Sequence, residues 1–534
     1  AAQAEPNPIR AIGHRLDAEQ WEQAAADIVA DGRGLLVAGA WRALVRLIHR
    51  VPADVIEADP ELCILLASCA WSTGDLIEVR QQLRRAAALY RSREDVAGEG
   101  RVNLLLVLPL FALGDTSGAK RLLDWCEAEL PQTSPLRRLL PYHQLWHGVA
   151  SGRFEHARDR FESVLDVARS PDADVLFDWM TLVGSGFRGH FLGLPGWSRF
   201  YREFDELATS NLRLAHRQPL LVATLAQRAW GQLWRGEVQP AVVTAKQAQT
   251  ENDKAGGLRG ARIDLLQLHG LLAAILGQAA DFEARMRELL AEVSECRGYR
   301  ESWLPTFLLV KARGWWILGR REPMVEACMQ AFHSDFSTAL PFFEGALHLV
   351  MAYAALERGD LAAARSEVSA ASAVRELPLP SVYGSVDLIR AYVHLLEGEN
   401  DRAIEIFTTL LDQVAAEQSL GILVVERKDV VQKLLNAVPV GHPARALADR
   451  YKEMLVRAHL PPASIVHEPS GLSSLSRREL QVLDLIAAGA SNKRIANELF
   501  LSIHTVKRHV ANINAKLNSD SRGEAAAMYR RAKG

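Results

Sequence analysis

Apolar residues along most of the chain recur three and four positions apart, in segments separated by short turns that contain glycine. This spacing places the apolar side chains on one face of an α-helix. Alternating β-branched segments joined by Asn-Gly turns, which would predict strands, are nearly absent. The pattern therefore predicts an all-α chain.

The turn glycines recur at a nearly constant interval, which indicates a repeat. Separations of 40, 38, 84, 41, 42, 40 and 39 residues lie between Gly74, Gly114, Gly152, Gly236, Gly277, Gly319, Gly359 and Gly398. The interval of 84 residues spans two units, with Gly193 between them. Because one helix pair cannot bury its apolar face alone, such units stack into a shared core. Residues 1–436 are therefore predicted to form an α-solenoid.

The turn at Gly359 predicts how each unit is built. A glycine in the left-handed conformation ends one helix, and Asp360 caps the next. The small side chains of residues 362–364 allow the two helices to approach closely. This Gly-Asp turn resembles that of tetratricopeptide repeats, although the period here is longer than their 34 residues.

Proline and glycine accumulate after Asn436, and residues 437–474 are predicted to be a linker. The remaining residues, 475–534, show four short helical patterns. Ser476 and Glu479 have the spacing of a capping box at the first of them. Ser491 precedes the second helix, residues 492–500, and the third covers residues 503–517.

The third of these helices has two contrasting faces. One carries an apolar stripe of Val506, Val510, Ile513 and Leu517, and the other is basic or small in character. A helix of this kind can enter the major groove of DNA. Cations at the start of the preceding short helix are suited to phosphates. The candidate DNA contacts from these patterns are Lys493, Arg494, His504, Lys507, Arg508, Ala511 and Asn512.

The charge distribution supports an anionic partner for this segment. The whole chain has a net charge of −2. Residues 470–534 contain 11 Lys and Arg against 5 Asp and Glu, a net charge of +6, which leaves −8 for residues 1–469. A basic tail on an acidic body favours nucleic-acid binding at the C-terminal end.

Composition argues against a disordered, a disulfide-rich or a membrane-spanning protein. Apolar residues make up 49% and charged residues 24% of the chain, which is typical of a globular protein. The five cysteines are scattered and contain no CxxC motif, so we expect a reducing, cytoplasmic location without metal sites. The most apolar segment, Leu104–Gly114, is shorter than the roughly 20 residues that span a bilayer.

The C-terminal motif resembles the LuxR/FixJ-type helix-turn-helix domain over about 60 residues. It begins Leu475-Ser-x-Arg-Glu-Leu-x-Val-Leu-x-Leu-Ile-Ala-x-Gly-x-Ser-Asn-Lys-x-Ile-Ala-x-Glu-Leu and continues Thr505-Val-Lys-x-His-Val-x-Asn-Ile-x-x-Lys-Leu. The resemblance implies dimers on two-fold DNA half-sites, paired through the last helix, and RNA polymerase as a partner. It also implies that Lys507, Arg508 and Ala511 face bases, whereas Ser491, Asn492, Lys493 and Thr505 face phosphates. One departure is Asn518-Ser519, where the family has a small apolar residue.

The order of the parts is similar to the C-terminal portion of MalT-like, ATP-dependent LuxR regulators. In that family a signalling NTPase precedes the repeats. No G-x-x-x-x-G-K-[ST] motif is present in this chain, so we expect no cofactor here and ATP only in a preceding domain. A start at Ala1, close to the family's domain boundary, favours a chain from which the NTPase was removed.

Several aromatic residues of the repeats have two interpretations. The main one is that they form the repeat core, and the other is a ligand pocket. The candidates for such a pocket are Trp179, Trp230, Trp234, Trp303, Trp316, Phe342 and Phe343.

The sequence thus predicts a bacterial, sequence-specific transcription regulator, of activating type by family resemblance, whose repeats sense a small-molecule inducer. An alternative is that the repeats bind a regulatory protein. A third interpretation is an α/α-barrel glycosidase, but no motif for hydrolytic or metal chemistry supports an enzyme. An enclosed aromatic pocket would favour the inducer, and an exposed patch would favour the protein partner.

Overall fold

A computed structural model describes residues 8–170, 196–210, 218–334, 343–374, 381–459, 477–487, 490–498, 503–517, 519 and 521–533. The chain forms two compact units, residues 1–459 and 460–534. Within the described ranges the only β-pairing is an isolated bridge between Ser381 and Gly384. The predicted all-α class is confirmed.

The described helices follow one another with short connections. In chain order, α1 to α29 are Pro8–Asp17, Trp21–Val37, Trp41–Ile48, Ala53–Ala58, Pro60–Thr73, Leu76–Ser92, Val96–Ala112, Thr116–Glu129, Leu140–Ala150, Phe154–Arg158, Phe161–Arg169, Trp197–Ser210, Gln218–Trp234, Val238–Lys254, Arg259–Ile275, Ala279–Glu295, Tyr299–Ile317, Arg321–Phe332, Phe343–Arg358, Leu361–Ala373, Val386–Leu396, Asn400–Glu417, Gly421–Val424, Lys428–Ala437, Arg445–His459, Arg477–Ala487, Asn492–Glu498, Ile503–Leu517 and Arg522–Lys533. A short 3₁₀-helix, Pro135–Leu139, precedes α9.

Paired helices make the repeats, and their turns have the predicted geometry. All eight turn glycines that define the period have φ between 65° and 83°, in the left-handed region that favours glycine. Gly193 lies outside the described residues. Asp360 caps α20 through a 3.0 Å hydrogen bond from the Ala363 N–H, and Asp115 caps α8 in the same way. The glycine–aspartate turn of the sequence is therefore confirmed.

The repeats also contact units far away in the sequence, which the period did not predict. The Leu76 N–H donates to the Arg297 carbonyl at 3.0 Å, and the Trp303 indole N–H donates to the Ala112 carbonyl at 2.9 Å. The Gly196 N–H donates to Glu417 at 2.9 Å. Solenoid repeats ordinarily contact only their neighbours. Here the stack folds back on itself, so that repeats about 200 residues apart share one core.

A buried ion pair joins two of these distant segments. Arg313 on α17 donates two hydrogen bonds of 2.8 Å to the Glu426 carboxylate, and neither side chain is exposed to solvent. The Trp316 indole N–H also donates to Glu426, at 2.6 Å. Tyr353 lies against the Arg313 guanidinium and donates to the Tyr383 carbonyl at 2.9 Å. Burial alone would lower the pKa of Arg313, but the adjacent carboxylate raises it above its usual value.

The first unit extends beyond the predicted boundary at residue 436. Residues 445–459 form α25, and its Ala448, Tyr451 and Leu455 are buried in the repeat core. Proline and glycine at positions 439–443 favoured a linker, but there they connect two packed helices. The rest of the predicted linker, residues 460–474, lies outside the described residues.

The cysteines and the most apolar helix lie inside the first unit. All five cysteines are free and buried, and burial raises the pKa of the Cys126 thiol to about 12. The apolar segment in α7 is packed inside the repeats. No helix among the described residues is long and apolar enough to cross a membrane.

Burial of His143 on α9 predicts that acid weakens the fold. Burial lowers the pKa of this imidazole to about 3, so the unfolded chain binds a proton that the folded chain does not over the range between pH 3 and 6.5. Stability should therefore fall as the pH drops, with His143 contributing about 2 kcal/mol between pH 7.5 and 5. Denaturant unfolding of H143L across this pH range should show a smaller decrease in the free energy of unfolding than the unchanged protein. His14→Gln, a change at an exposed imidazole, should retain the slope of the unchanged protein.

Candidate nucleic-acid interface

The second unit has a small apolar core of its own. Val482 and Leu483 from α26 pack with Ile495 from α27, and Val506 and Ile513 from α28 complete the centre. All five are fully buried. The last helix, α29, closes this core with alanines and a tyrosine. A 60-residue segment of short helices therefore folds around side chains at helical spacing, as the sequence predicted.

The helix α28 exposes the face that the sequence proposed for DNA. Val506 and Ile513 point into the core, whereas Lys507 and Arg508 are exposed. Ala511 and Asn512 are also exposed, one turn further along. The side chain of Leu517, the last position of the predicted stripe, is outside the described part. The structure thus brings two cations, one amide and one small residue together on a single solvent-facing surface.

His509, next to this surface, is half-buried, and its Nδ1 atom is buried without a hydrogen-bond partner. Because it does not share the open face of Arg508, it is not included in the interface.

The start of the shorter helix α27 offers polar groups to an anion. Ser491 is exposed, and its hydroxyl accepts a 3.3 Å hydrogen bond from the Arg494 N–H, which makes it the cap of this helix. Arg494 is exposed and Thr505 is half-buried. The side chains of two other candidates, Lys493 and His504, lie outside the described set.

Contacts from the last helix reach α26 and the start of α27, and sequence analysis missed them. Arg522 donates to the side-chain oxygen of Asn492 at 2.6 Å and also to the Ala490 carbonyl. The Tyr529 hydroxyl donates to Asp484 at 2.6 Å. A sequence shows Arg522 only as one more cation of a basic tail, so its positioning role had no distinct signal.

Of the two positions that depart from the family pattern, the structure describes Ser519. Ser519 is buried, and its N–H donates to the Asn514 carbonyl at 2.9 Å. Its hydroxyl lies 3.4 Å from the Asn514 side-chain oxygen. Ser519 is thus hydrogen-bonded to the end of α28. The neighbouring Asn518 is outside the described residues.

The aromatic candidates of the repeats are packed in the core. Trp230, Trp234, Trp303, Trp316 and Phe343 are each at most 3% exposed. The indole N–H of Trp230 donates to Asp264 at 3.0 Å, and those of Trp303 and Trp316 also have protein partners. Trp179 and Phe342 lie outside the described residues. A ligand-binding role for these seven residues stays a prediction, and the contacts of the described ones are those of core residues.

A comparison with known protein families finds a match that includes the residues of this interface. The family model described as "Bacterial regulatory proteins, luxR family" matches residues 473–529. A nitrate/nitrite response regulator homolog of Haemophilus influenzae is 42% identical over 83 residues, which are 16% of this chain and 36% of that protein. The chain therefore spans about a third of that relative.

Two further relatives are covered over most of their length. The transcriptional regulatory protein LiaR of Bacillus subtilis is 30% identical over 156 residues, 28% of this chain and 72% of LiaR. The DNA-binding transcriptional activator DevR/DosR of Mycobacterium tuberculosis is 31% identical over 178 residues, 32% of this chain and 79% of that protein. Among solved structures, a chain of the APC/C hetero-tetramer Cut9–Hcn1 aligns over 85% of this chain and 93% of its own length, with a TM-score of 0.30 and 11% identity.

Proposed function

Because the chain belongs to the luxR family of bacterial regulatory proteins, we propose that its C-terminal unit binds specific sites in double-stranded DNA and so regulates transcription. The relatives confirm a transcription regulator rather than an enzyme. The observation that carries the proposal is the division of α28 into a buried apolar face and an open face with Lys507 and Arg508. A helix with this division can lie in a major groove while its other side rests on its own domain.

In this proposal α28 contacts the bases and α27 contacts the phosphates. On α28, Arg508 and Lys507 present donors to guanine edges, and Ala511 leaves room for the helix to approach the bases. At the start of α27, Ser491, Asn492 and the helix N–H groups bind phosphates, with Lys493 and Arg494 adding charge. The phosphate contacts set the position and the salt dependence of binding, and the base contacts set the sequence. In this proposal two copies of the chain pair through α29 and bind adjacent DNA half-sites. The bound dimer then recruits RNA polymerase.

The substitution Arg508→Ala tests the base-reading role. The substituted protein should bind its preferred site about 1–3 kcal/mol more weakly, because one bidentate contact to a base is lost. It should bind random DNA nearly as before. Fluorescence anisotropy with a duplex selected from a randomised library, and with a scrambled duplex, measures both affinities at one salt concentration.

The control for this experiment is Arg287→Ala, which removes an exposed arginine of the first unit. It should leave both affinities unchanged. An equal loss by Arg508→Ala on selected and scrambled DNA would show a phosphate contact instead of base reading. No loss on either duplex would refute the role of this face.

For the repeats we propose sensing of a small-molecule inducer in the cytoplasm. The ligand must bind the active and inactive states of the chain with different affinity, since only that difference shifts their populations. A regulatory protein bound to the repeats is the alternative. The small-molecule hypothesis is supported by an open groove in the first unit, whose lining combines buried leucines such as Leu435 and Leu455 with the exposed Lys428.

A further inference from the structure

The first unit contains an open groove of about 360 Å³ beside its last helix. Leu423, Leu435 and Leu455 form its apolar floor and are buried. Val456 forms part of one wall and is 60% exposed. A volume of this size falls in the range of small-molecule sites, which are mostly apolar with a few polar groups. The groove therefore has the dimensions and the floor of a ligand site.

The rim of the groove is polar and positively charged. Lys428, Gln432 and Asn436 follow one another at intervals of four residues along α24, so they lie on one side of that helix. All three are exposed, and none of these three side chains has a hydrogen bond or ion pair with another described residue. Lys452, on α25 across the groove, has a 3.3 Å contact with Asp449. Among the described lining residues no side chain is acidic, so the rim complements an anion.

We propose that this groove binds a small amphipathic carboxylate, with its apolar body on the leucine floor and its carboxylate at Lys428. The two amides of Gln432 and Asn436 supply further donors for the carboxylate oxygens. Burial of the apolar body supplies most of the affinity, and the ammonium group supplies the preference for an anion. This inference rests on the proposed sensing role of the repeats.

The groove lies at the end of the first unit in the sequence, just before the chain continues into the DNA-binding unit. Leu455 and Val456 belong to α25, which is the last helix of the first unit in the sequence. Lys428 and its neighbours belong to α24, which packs against α25. A ligand between these two helices changes the stability of the element from which the chain continues toward residue 460. The expected consequence is a difference in DNA affinity between the free and the bound protein.

Isothermal titration calorimetry of the full chain with octanoate tests the site, with octan-1-ol as the uncharged probe of equal length. Octanoate should bind one per chain and at least tenfold more tightly than octan-1-ol. Lys428→Gln should weaken octanoate about tenfold, and Val456→Glu should weaken it further by placing a like charge on the wall. Lys433→Gln is the matched control, because Lys433 is on the same helix and donates to Tyr392 outside the groove. It should bind octanoate like the unchanged chain.

The outcomes separate this site from the proposed function. No saturable binding of octanoate, equal binding of octan-1-ol, or equal affinity of Lys428→Gln and the unchanged chain would overturn the carboxylate site. Binding that depends on Lys428 supports it. DNA affinity with and without octanoate, measured on the selected duplex, tests sensing independently. A bound ligand with no effect on DNA affinity would refute sensing by this groove and leave the site established.

Discussion

Replacing Glu426 by alanine should lower the free energy of unfolding of the first unit by about 3–5 kcal/mol. The substitution leaves the Arg313 guanidinium, which has no exposure to solvent, without its carboxylate partner. It also removes the acceptor of the Trp316 indole N–H. An uncompensated buried charge costs far more than the original pair contributed, since the charge cannot be rehydrated. Chemical denaturation followed by circular dichroism measures the difference.

Two further variants show whether the cost comes from the buried charge. Glu283→Ala breaks an exposed pair with Arg287 and should change stability by less than about 1 kcal/mol. The double variant Arg313→Met/Glu426→Leu removes both charges and should be more stable than Glu426→Ala alone, because no ion remains unpaired. If Glu426→Ala were as stable as Glu283→Ala, the pair would not hold these segments together.

The local parts of the fold could be predicted from the sequence because short-range rules determine them. The turn glycines are in the left-handed conformation, and the third helix of the tail runs from Ile503 to Leu517 as expected. Glycine at the end of a helix and apolar residues at a fixed spacing are signals carried by a few adjacent residues. The face of α28 that carries Lys507 and Arg508 followed directly from that spacing.

The contacts between distant repeats could not be predicted in this way. The pairing of Arg313 with Glu426 joins positions 113 residues apart and depends on how the stack of helices curves. In the sequence, Arg313 is one cation within an apolar helix, and Glu426 follows a run of apolar residues. Neither position carries a signal that names its partner. The residues that link the repeats were therefore missed, whereas those that shape each repeat were found.

The boundary of the first unit was missed for a different reason. Ala448, Tyr451 and Leu455 have the three- and four-residue spacing of a packed helix, and the structure buries all three. The prolines and the glycine just before these residues favoured a linker, and the prediction followed that signal instead of the helical spacing. Sequence analysis therefore also missed the groove beside α25, because the residues that line the groove fall on both sides of the expected boundary at residue 436.

Gly421→Ala should destabilise the first unit by about 1–3 kcal/mol, although alanine is the better helix former. A β-carbon at this position would lie 2.5 Å from the Cα atom and from the carbonyl oxygen of Trp234. Both are backbone atoms of another repeat, so a side-chain rotation cannot relieve the overlap. The two segments must move apart, and the packing around them is lost. Thermal and denaturant unfolding of the variant measure this cost.

Gly34→Ala is the matched control for this prediction, because it makes the same change within α2. A β-carbon at residue 34 would have no neighbouring atom within 4 Å. The control should therefore be neutral or gain up to about 1 kcal/mol from helix propensity. Stability changes of opposite sign for the two substitutions would show that the close approach of distant repeats excludes a larger residue at position 421. A Gly421→Ala chain as stable as Gly34→Ala would mean that the repeats do not pack this closely, and the folded-back arrangement would have to be abandoned.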